Sequence, residues 1–282
     1  MIYIPILGAI ALAGGTILQR FVLKKKDISI KQYSLMEFLA IVLIIIPFIY
    51  FFWKVDSVAL QIKNIIIFGL VIVFSVIANV LVYYSVKGEK VSNLEPAKVL
   101  EPLFVILLAI IFSFFFPGFE KNPKVVIPAI ISVAALLFAH IKRHHLNFNK
   151  YFVAAILGSL FFGLELVTSK LILEYYNPMT FYFIRGVFVL LFFLIIFHPN
   201  IKNQTRKTKL TVLCIGAIWV LYRMAVYWGY LKLGVISTTM IFLLGPVLVY
   251  LFAYTFLKEK LNWKNIVASI VIVACIIYAN LA

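Results

Sequence analysis

Acidic side chains are scarce in this chain: ten Asp and Glu stand against 26 Lys and Arg. Only two of the acids are aspartates, Asp27 and Asp56, and both fall in loops, which leaves no Asp-rich metal site for a membrane-embedded enzyme. Cysteine is almost absent. Cys214 and Cys275 each lie inside an apolar run, so they read as small buried hydrophobes rather than a disulfide framework. His144 and His145 stand in a basic loop that repels cations, with no partner cluster at metal-ligand spacing. A phosphate-binding loop is also missing, which excludes ATP-driven pumping by this chain, and no cofactor is implied. Nor is a cleavable leader visible: residues 2–23 are too long for a signal core and no basic stretch precedes them.

Apolar residues fill the space the charges leave. The chain is 65% hydrophobic and 13% charged, where a soluble domain is roughly a quarter charged. A membrane helix needs about 20 mostly apolar residues, and ten segments qualify: 2–23, 31–53, 64–86, 91–116, 123–140, 151–174, 178–197, 209–231, 235–257 and 263–281. Membrane strands would show shorter alternating segments, so the expected fold is an all-α membrane protein. The formal charge of +16 does not point to nucleic acid, because the cations sit in short loops flanking apolar runs. The partners expected are the lipid bilayer and a small molecule.

The chain repeats itself. Val91–Pro102 (VSNLEPAKVLEP) has a counterpart 144 residues on, Val235–Pro246 (VISTTMIFLLGP), and Val82–Tyr84 matches Val226–Trp228 at the same offset. Gly8 and Arg20 have the same spacing as Gly158 and Lys170. Two halves follow, 1–145 and 146–282. Five spans per half is odd, so the second half enters the membrane the other way up: ten helices as two inverted five-helix repeats. Transporters of that plan bind substrate between the halves near the midplane.

Several residues are similar to the EamA-type branch of the drug/metabolite transporter superfamily. They are the helix-4 and helix-9 pattern ending in Pro, the run Gly234-Val-Ile-Ser-Thr-Thr with Gly245-Pro246 and Leu257-Lys-Glu259-Lys260-Leu261, and Asn177-Pro178 followed by Arg185. In the first half the acid expected after helix 4 is displaced into FPGFEKNP, and Lys98 and Glu101 are additions to the pattern. The resemblance implies a transporter with both termini in the cytosol. The loop charges argue otherwise: sixteen of the cations fall on the face shared by loops 1–2, 3–4, 5–6, 7–8 and 9–10, and five on the other, which places the termini outside.

Ionisable groups inside a membrane are costly and mark pathways or relays. Counting positions along each helix places Glu37, Asn79 and Lys98 at one depth, with Glu95 nearer the rim and Glu101 deeper, beside Pro102. Glu165, Arg223 and Arg185 share a second level, and Arg223 is the 144-offset partner of Asn79. Arg20 and Lys170 read as snorkelling side chains near helix ends, and Arg185 as a structural hydrogen-bonding residue. The substrate-site candidates are Asn79, Lys98, Glu101, Glu165, Arg223, Tyr83, Tyr227 and Trp228. Glu101 and Glu165 are the candidate proton carriers, because a buried carboxyl can take up and release a proton. Pro102 and Pro246, which leave backbone carbonyls unpaired, are the candidate gating positions. Gly14, Gly15, Gly163 and Gly229 are expected at close helix contacts.

These features together predict a secondary transporter, an exporter of a small polar metabolite such as an amino acid or organic anion. It would work by alternating access in a prokaryotic plasma membrane, as monomer or homodimer, with protons as candidate coupling ion. A translocator of an amphipathic or lipid-linked cargo, with a lateral opening between helices, is the alternative. A membrane-embedded enzyme is the remote third.

Overall fold

The computed structural model describes residues 3–25, 27–89, 94, 97, 100–140, 149–201, 204–245, 247–248 and 263–281. Ten helices run through them: α1 Tyr3–Leu23, α2 Ile30–Phe52, α3 Ile62–Gly88, α4 Leu100–Phe115, α5 Pro123–His140, α6 Lys150–Lys170, α7 Pro178–Phe197, α8 Arg206–Lys232, α9 Val235–Phe242 and α10 Trp263–Leu281. Six of them, α1, α2, α3, α6, α7 and α8, are long and apolar enough to cross a membrane. Side chains such as Leu7, Ile62 and Phe114 point outward from the bundle, as a lipid solvent permits. The protein is an all-α, multi-pass membrane protein.

Short polar signals start the helices. Ser29 and Gln32 form a reciprocal capping box on α2. Asn149 caps α6, Asn177 caps α7 ahead of Pro178, and Thr205 caps α8. The sixth segment, expected to reach residue 174, stops at Lys170. Its backbone tightens there into i→i+3 bonds, Leu171 to Thr168 and Ile172 to Ser169, and a 3₁₀ turn follows at Leu173–Tyr175.

Packing follows a two-fold pattern. α1 lies along α8 and α3 along α6; α4 packs on α6 and α9 on α1; α2 meets α7 and α5 meets α10. Exchanging each helix n for n + 5 reproduces this set. Gly8 and Gly158 make the two equivalent crossings possible. A Cβ on Gly8 would sit 2.6 Å from Ala225 Cβ, and one on Gly158 would sit 2.7 Å from Val82 Cγ2. The close-contact reading also holds at Gly15, Gly163 and Gly229. It does not hold at Gly14, whose missing Cβ would meet nothing within 4 Å.

The connections sort into two faces. On one, Lys24 Nζ donates to the Glu89 carbonyl, Gln32 Nε2 to the Asn200 carbonyl (2.7 Å), and Asn149 to Glu89. On the other, Asp56 N–H donates to the Tyr175 carbonyl and Asn177 N–H to the Lys54 carbonyl. There too the Glu120 carboxylate accepts from the N–H groups of Ile236 (3.0 Å) and Ser237 (2.9 Å), at the start of α9. Glu120 is the acid of FPGFEKNP, so its displacement serves a capping contact between the halves. The alternation of faces is what single crossings by successive helices require.

Candidate functional site

Ser75, Asn79 and Tyr83 are spaced by four on α3 and therefore share one helix face. Tyr33 and Glu37 do the same on α2. Both faces turn into the bundle, where all five side chains are buried. The Tyr33 hydroxyl donates to Glu37 Oε1 at 3.0 Å, and Tyr83 hydrogen-bonds Oε2. The Tyr83 hydroxyl also lies 2.8 Å from Asn79 Oδ1, while Asn79 Nδ2 donates to the Ser75 carbonyl at 2.7 Å.

Glu165 on α6 is completely buried. Its carboxylate sits between two guanidinium groups: Arg185 Nη1 of α7 is 3.2 Å from Oε1, and Arg223 Nη1 of α8 is 3.0 Å from Oε2. The two arginines are held differently. Arg185 donates through Nε and Nη2 to Ser75 Oγ (3.2 and 2.7 Å) and through Nη1 to the Tyr227 hydroxyl (2.8 Å). The Tyr227 hydroxyl lies 3.3 Å from Glu165 Oε1. Arg223 instead lies over the rings of Phe162 and Tyr222, at 5.6 and 5.7 Å. Its Nη1 and Glu165 Oε2 face each other as charges without a directed hydrogen bond.

Ser75 joins the two groups. A continuous chain of buried polar contacts runs from Tyr33 through Glu37, Tyr83, Asn79, Ser75 and Arg185 to Glu165 and Arg223, across five helices and both halves. Counting positions along each helix puts Glu37 and Asn79 on one level and Glu165, Arg223 and Arg185 on another; Ser75 links the two sets. Ser75 and Tyr33 were not among the expected residues, although their i, i+4 spacing to Asn79 and Glu37 is written in the sequence. Arg185, expected to be a structural hydrogen-bonding residue, is that, and it is also the junction of the network.

The electrostatics are lopsided. Two guanidinium groups face one carboxylate in a water-poor place, which leaves an excess positive charge. A buried ion pair is held at a desolvation cost, and removing one member strands the other.

The remaining expected residues fall at various distances from this network. Glu101 is half-buried near the start of the described part of α4, within electrostatic reach of Tyr222, beside Arg223. Pro102 is half-buried in the same turn. Trp228 is half-buried and takes no part in the network among the described residues. Lys98, Glu95 and Pro246 lie outside the described residues. Among the described residues there is no cluster of three or more His, Cys, Asp or Glu able to hold a metal ion.

Comparison with known proteins gives three results. No curated protein matches the chain. Twenty-eight solved chains match. One, described only as a crystal structure of a protein, aligns with a TM-score of 0.68 at 16% identity over 99% of this chain and 96% of its own, a likeness of fold alone. Residues 149–281 match the model of the EamA-like transporter family. The second half of the chain is therefore similar to the EamA-like transporter family, a family of membrane transporters.

Proposed function

We propose that this protein is a secondary transporter, an exporter of a small carboxylate-bearing metabolite such as an amino acid or organic anion. It works by alternating access between halves 1–145 and 146–282 in the plasma membrane of a prokaryote. The observation that carries the reading is the Arg185–Glu165–Arg223 constellation. Arg223 is the less engaged cation, with no directed hydrogen bond at Nη1, and a substrate carboxylate takes its place beside that guanidinium. Glu165 then exchanges one of its partners for a proton, which couples substrate to proton movement. Glu101, across from Tyr222, is the second candidate for proton exchange, and Tyr83, Tyr227, Trp228, Asn79 and Lys98 complete the pathway lining. Pro102 and Pro246 are the gating positions in this reading.

Counterflow in proteoliposomes tests this. Vesicles preloaded with an unlabelled amino acid or dicarboxylate should accumulate its labelled form, with a dependence on pH that Glu165→Gln removes. If flux and its pH profile survive both Glu165→Gln and Glu101→Gln, proton coupling at these carboxyls is refuted.

One observation favours the second reading, a lipid-linked cargo. An apolar groove of about 660 Å³ lies between α3, α4 and α6, lined by Ile66, Leu70, Phe74, Phe112, Phe116 and Leu164. Phe74 and Leu164 each precede a network residue, so the groove runs beside the buried site. Under this reading flux would require a hydrocarbon tail on the substrate, and bulky replacements at Leu70 would abolish it.

A further inference from the structure

Glu37 is a buried carboxyl of a different kind from Glu165. It is 2% exposed, and among the described residues no Lys or Arg lies within salt-bridge distance of it. Its surroundings come from five helices. Tyr33 is on its own helix, Tyr83 and Asn79 on α3, and Gln19 of α1 lies beside the Tyr33 hydroxyl. From α8 the Trp219 indole lies close, with its N–H outside hydrogen-bond geometry. From α7, Tyr182 is in electrostatic reach. Arg185 touches the cluster only through Ser75. Among the described residues every immediate neighbour is neutral.

Counting protons in this cluster leads to a definite state. Asn79 Nδ2 donates to the Ser75 carbonyl, so the amide orientation is fixed and Oδ1 is the atom that faces Tyr83. Three acceptor atoms then meet two hydroxyls: Glu37 Oε1, Glu37 Oε2 and Asn79 Oδ1 face Tyr33 and Tyr83. Each phenol carries a single hydrogen. Tyr33 serves Oε1. Tyr83 lies against both Oε2 and Oδ1 and can serve only one. As a carboxylate, Glu37 would leave one contact as two facing lone pairs, in a place where an unsatisfied buried acceptor is costly. With a hydrogen on Oε2, every contact is satisfied: Glu37 donates to the Tyr83 oxygen, and Tyr83 donates to Asn79 Oδ1.

We propose that Glu37 is a second proton-carrying site, loaded in this conformation and separate from the Glu165 pair. Releasing its proton to water forces Tyr83 to turn its one hydrogen toward Oε2, and Asn79 Oδ1 loses its donor. Asn79 donates to the Ser75 carbonyl, and the Ser75 hydroxyl accepts from Arg185, so the charge state of Glu37 is transmitted through Asn79 and Ser75 to the arginine that holds Glu165. The use of this link in transport rests on the carboxylate reading above; the proton on Glu37 does not.

Infrared spectroscopy of the purified full-length protein in nanodiscs tests the proposal without a substrate. At neutral pH the wild type should show the C=O stretch of a protonated carboxylic acid, shifted in D₂O. That band should be missing from Glu37→Gln and retained in Glu165→Gln and Glu101→Gln. Glu37→Gln supplies an amide donor where the acid hydrogen stood, so its thermal unfolding should stay close to wild type, which guards against loss through misfolding. A band that survives Glu37→Gln, or a wild type without one, overturns the proposal. Success here with no carboxylate binding to the protein would refute the substrate reading alone. Loss of the band's link to Glu37 with carboxylate binding intact would refute this inference alone.

Discussion

Tyr83 and Tyr227 occupy equivalent places in the two repeats, 144 residues apart, and each hydroxyl contacts a buried glutamate. Their settings differ. Tyr83 stands with Glu37 among neutral donors; Tyr227 stands with Glu165 between two guanidinium groups. The residue one turn earlier carries the difference: Asn79 in the first repeat, Arg223 in the second. The two glutamates come from helices that do not correspond, α2 and α6; under the proposals above, the neutral setting suits a proton and the cationic one an anion. A structural ion-pair role alone would not need two cations for one carboxylate.

Substitutions that remove one member of each site should separate the two in size of effect. Arg185→Met is expected to be the most damaging. It removes the donors to Ser75 and Tyr227 and one partner of Glu165, and stranding a member of a buried pair costs about 3–5 kcal/mol. Thermal unfolding of the purified protein in detergent would register it. A wild-type melting temperature would show that Arg185 is not the junction. Arg223→Met should cost less, because its guanidinium is held by ring stacking and one undirected charge contact, while Arg185 still neutralises Glu165. Losses as large as those of Arg185→Met would erase the distinction drawn between the two arginines.

On the other side of the comparison, Tyr83→Phe removes the hydroxyl shared by Glu37 and Asn79 and should cost about 1–3 kcal/mol, the range for a buried polar group left without its partner. The corresponding Tyr227→Phe should be milder in stability, because Glu165 and Arg185 keep each other. Smallest of all, Glu37→Gln should leave the melting temperature nearly unchanged, since its amide reproduces the neutral acid's donor and acceptor. A melting temperature lowered as far as by Tyr83→Phe would mean that Glu37 is charged in the folded protein.

Much of this arrangement is legible in the sequence, because membrane helices translate position into depth. Equal counts along α6 and α8 brought Glu165 and Arg223 to one level, and the 144-residue offset paired Arg223 with Asn79. Gly8 and Gly158, matched only by their spacing to a cation, turned out to be the two crossing points of the fold. Depth alone does not give azimuth, however. Which face of α3 meets α7 depends on packing, so the bond from Arg185 to Ser75 could not be read, and the two levels looked like separate sites. Ser75 itself carries no charge to attract notice in an apolar run. Gly14 failed for the same reason: its neighbour Gly15 takes the contact with α8, one position around the helix. The displaced acid of FPGFEKNP looked like a departure from pattern, and its purpose became visible only once Glu120 was seen at the start of α9.

The central claim is that the excess positive charge around Glu165 binds a carboxylate. The most direct test is thermal unfolding of the purified protein against pairs of metabolites that differ only in that group, each amino acid or organic acid beside its neutral amide. A ligand bound to the folded state at a hundred times its dissociation constant adds about 2.7 kcal/mol of stability. The account predicts that some acids raise the melting temperature of the wild type, that their amides do not, and that the rise disappears in Arg223→Gln. Equal stabilisation by acid and amide, or a full response in Arg223→Gln, would contradict it.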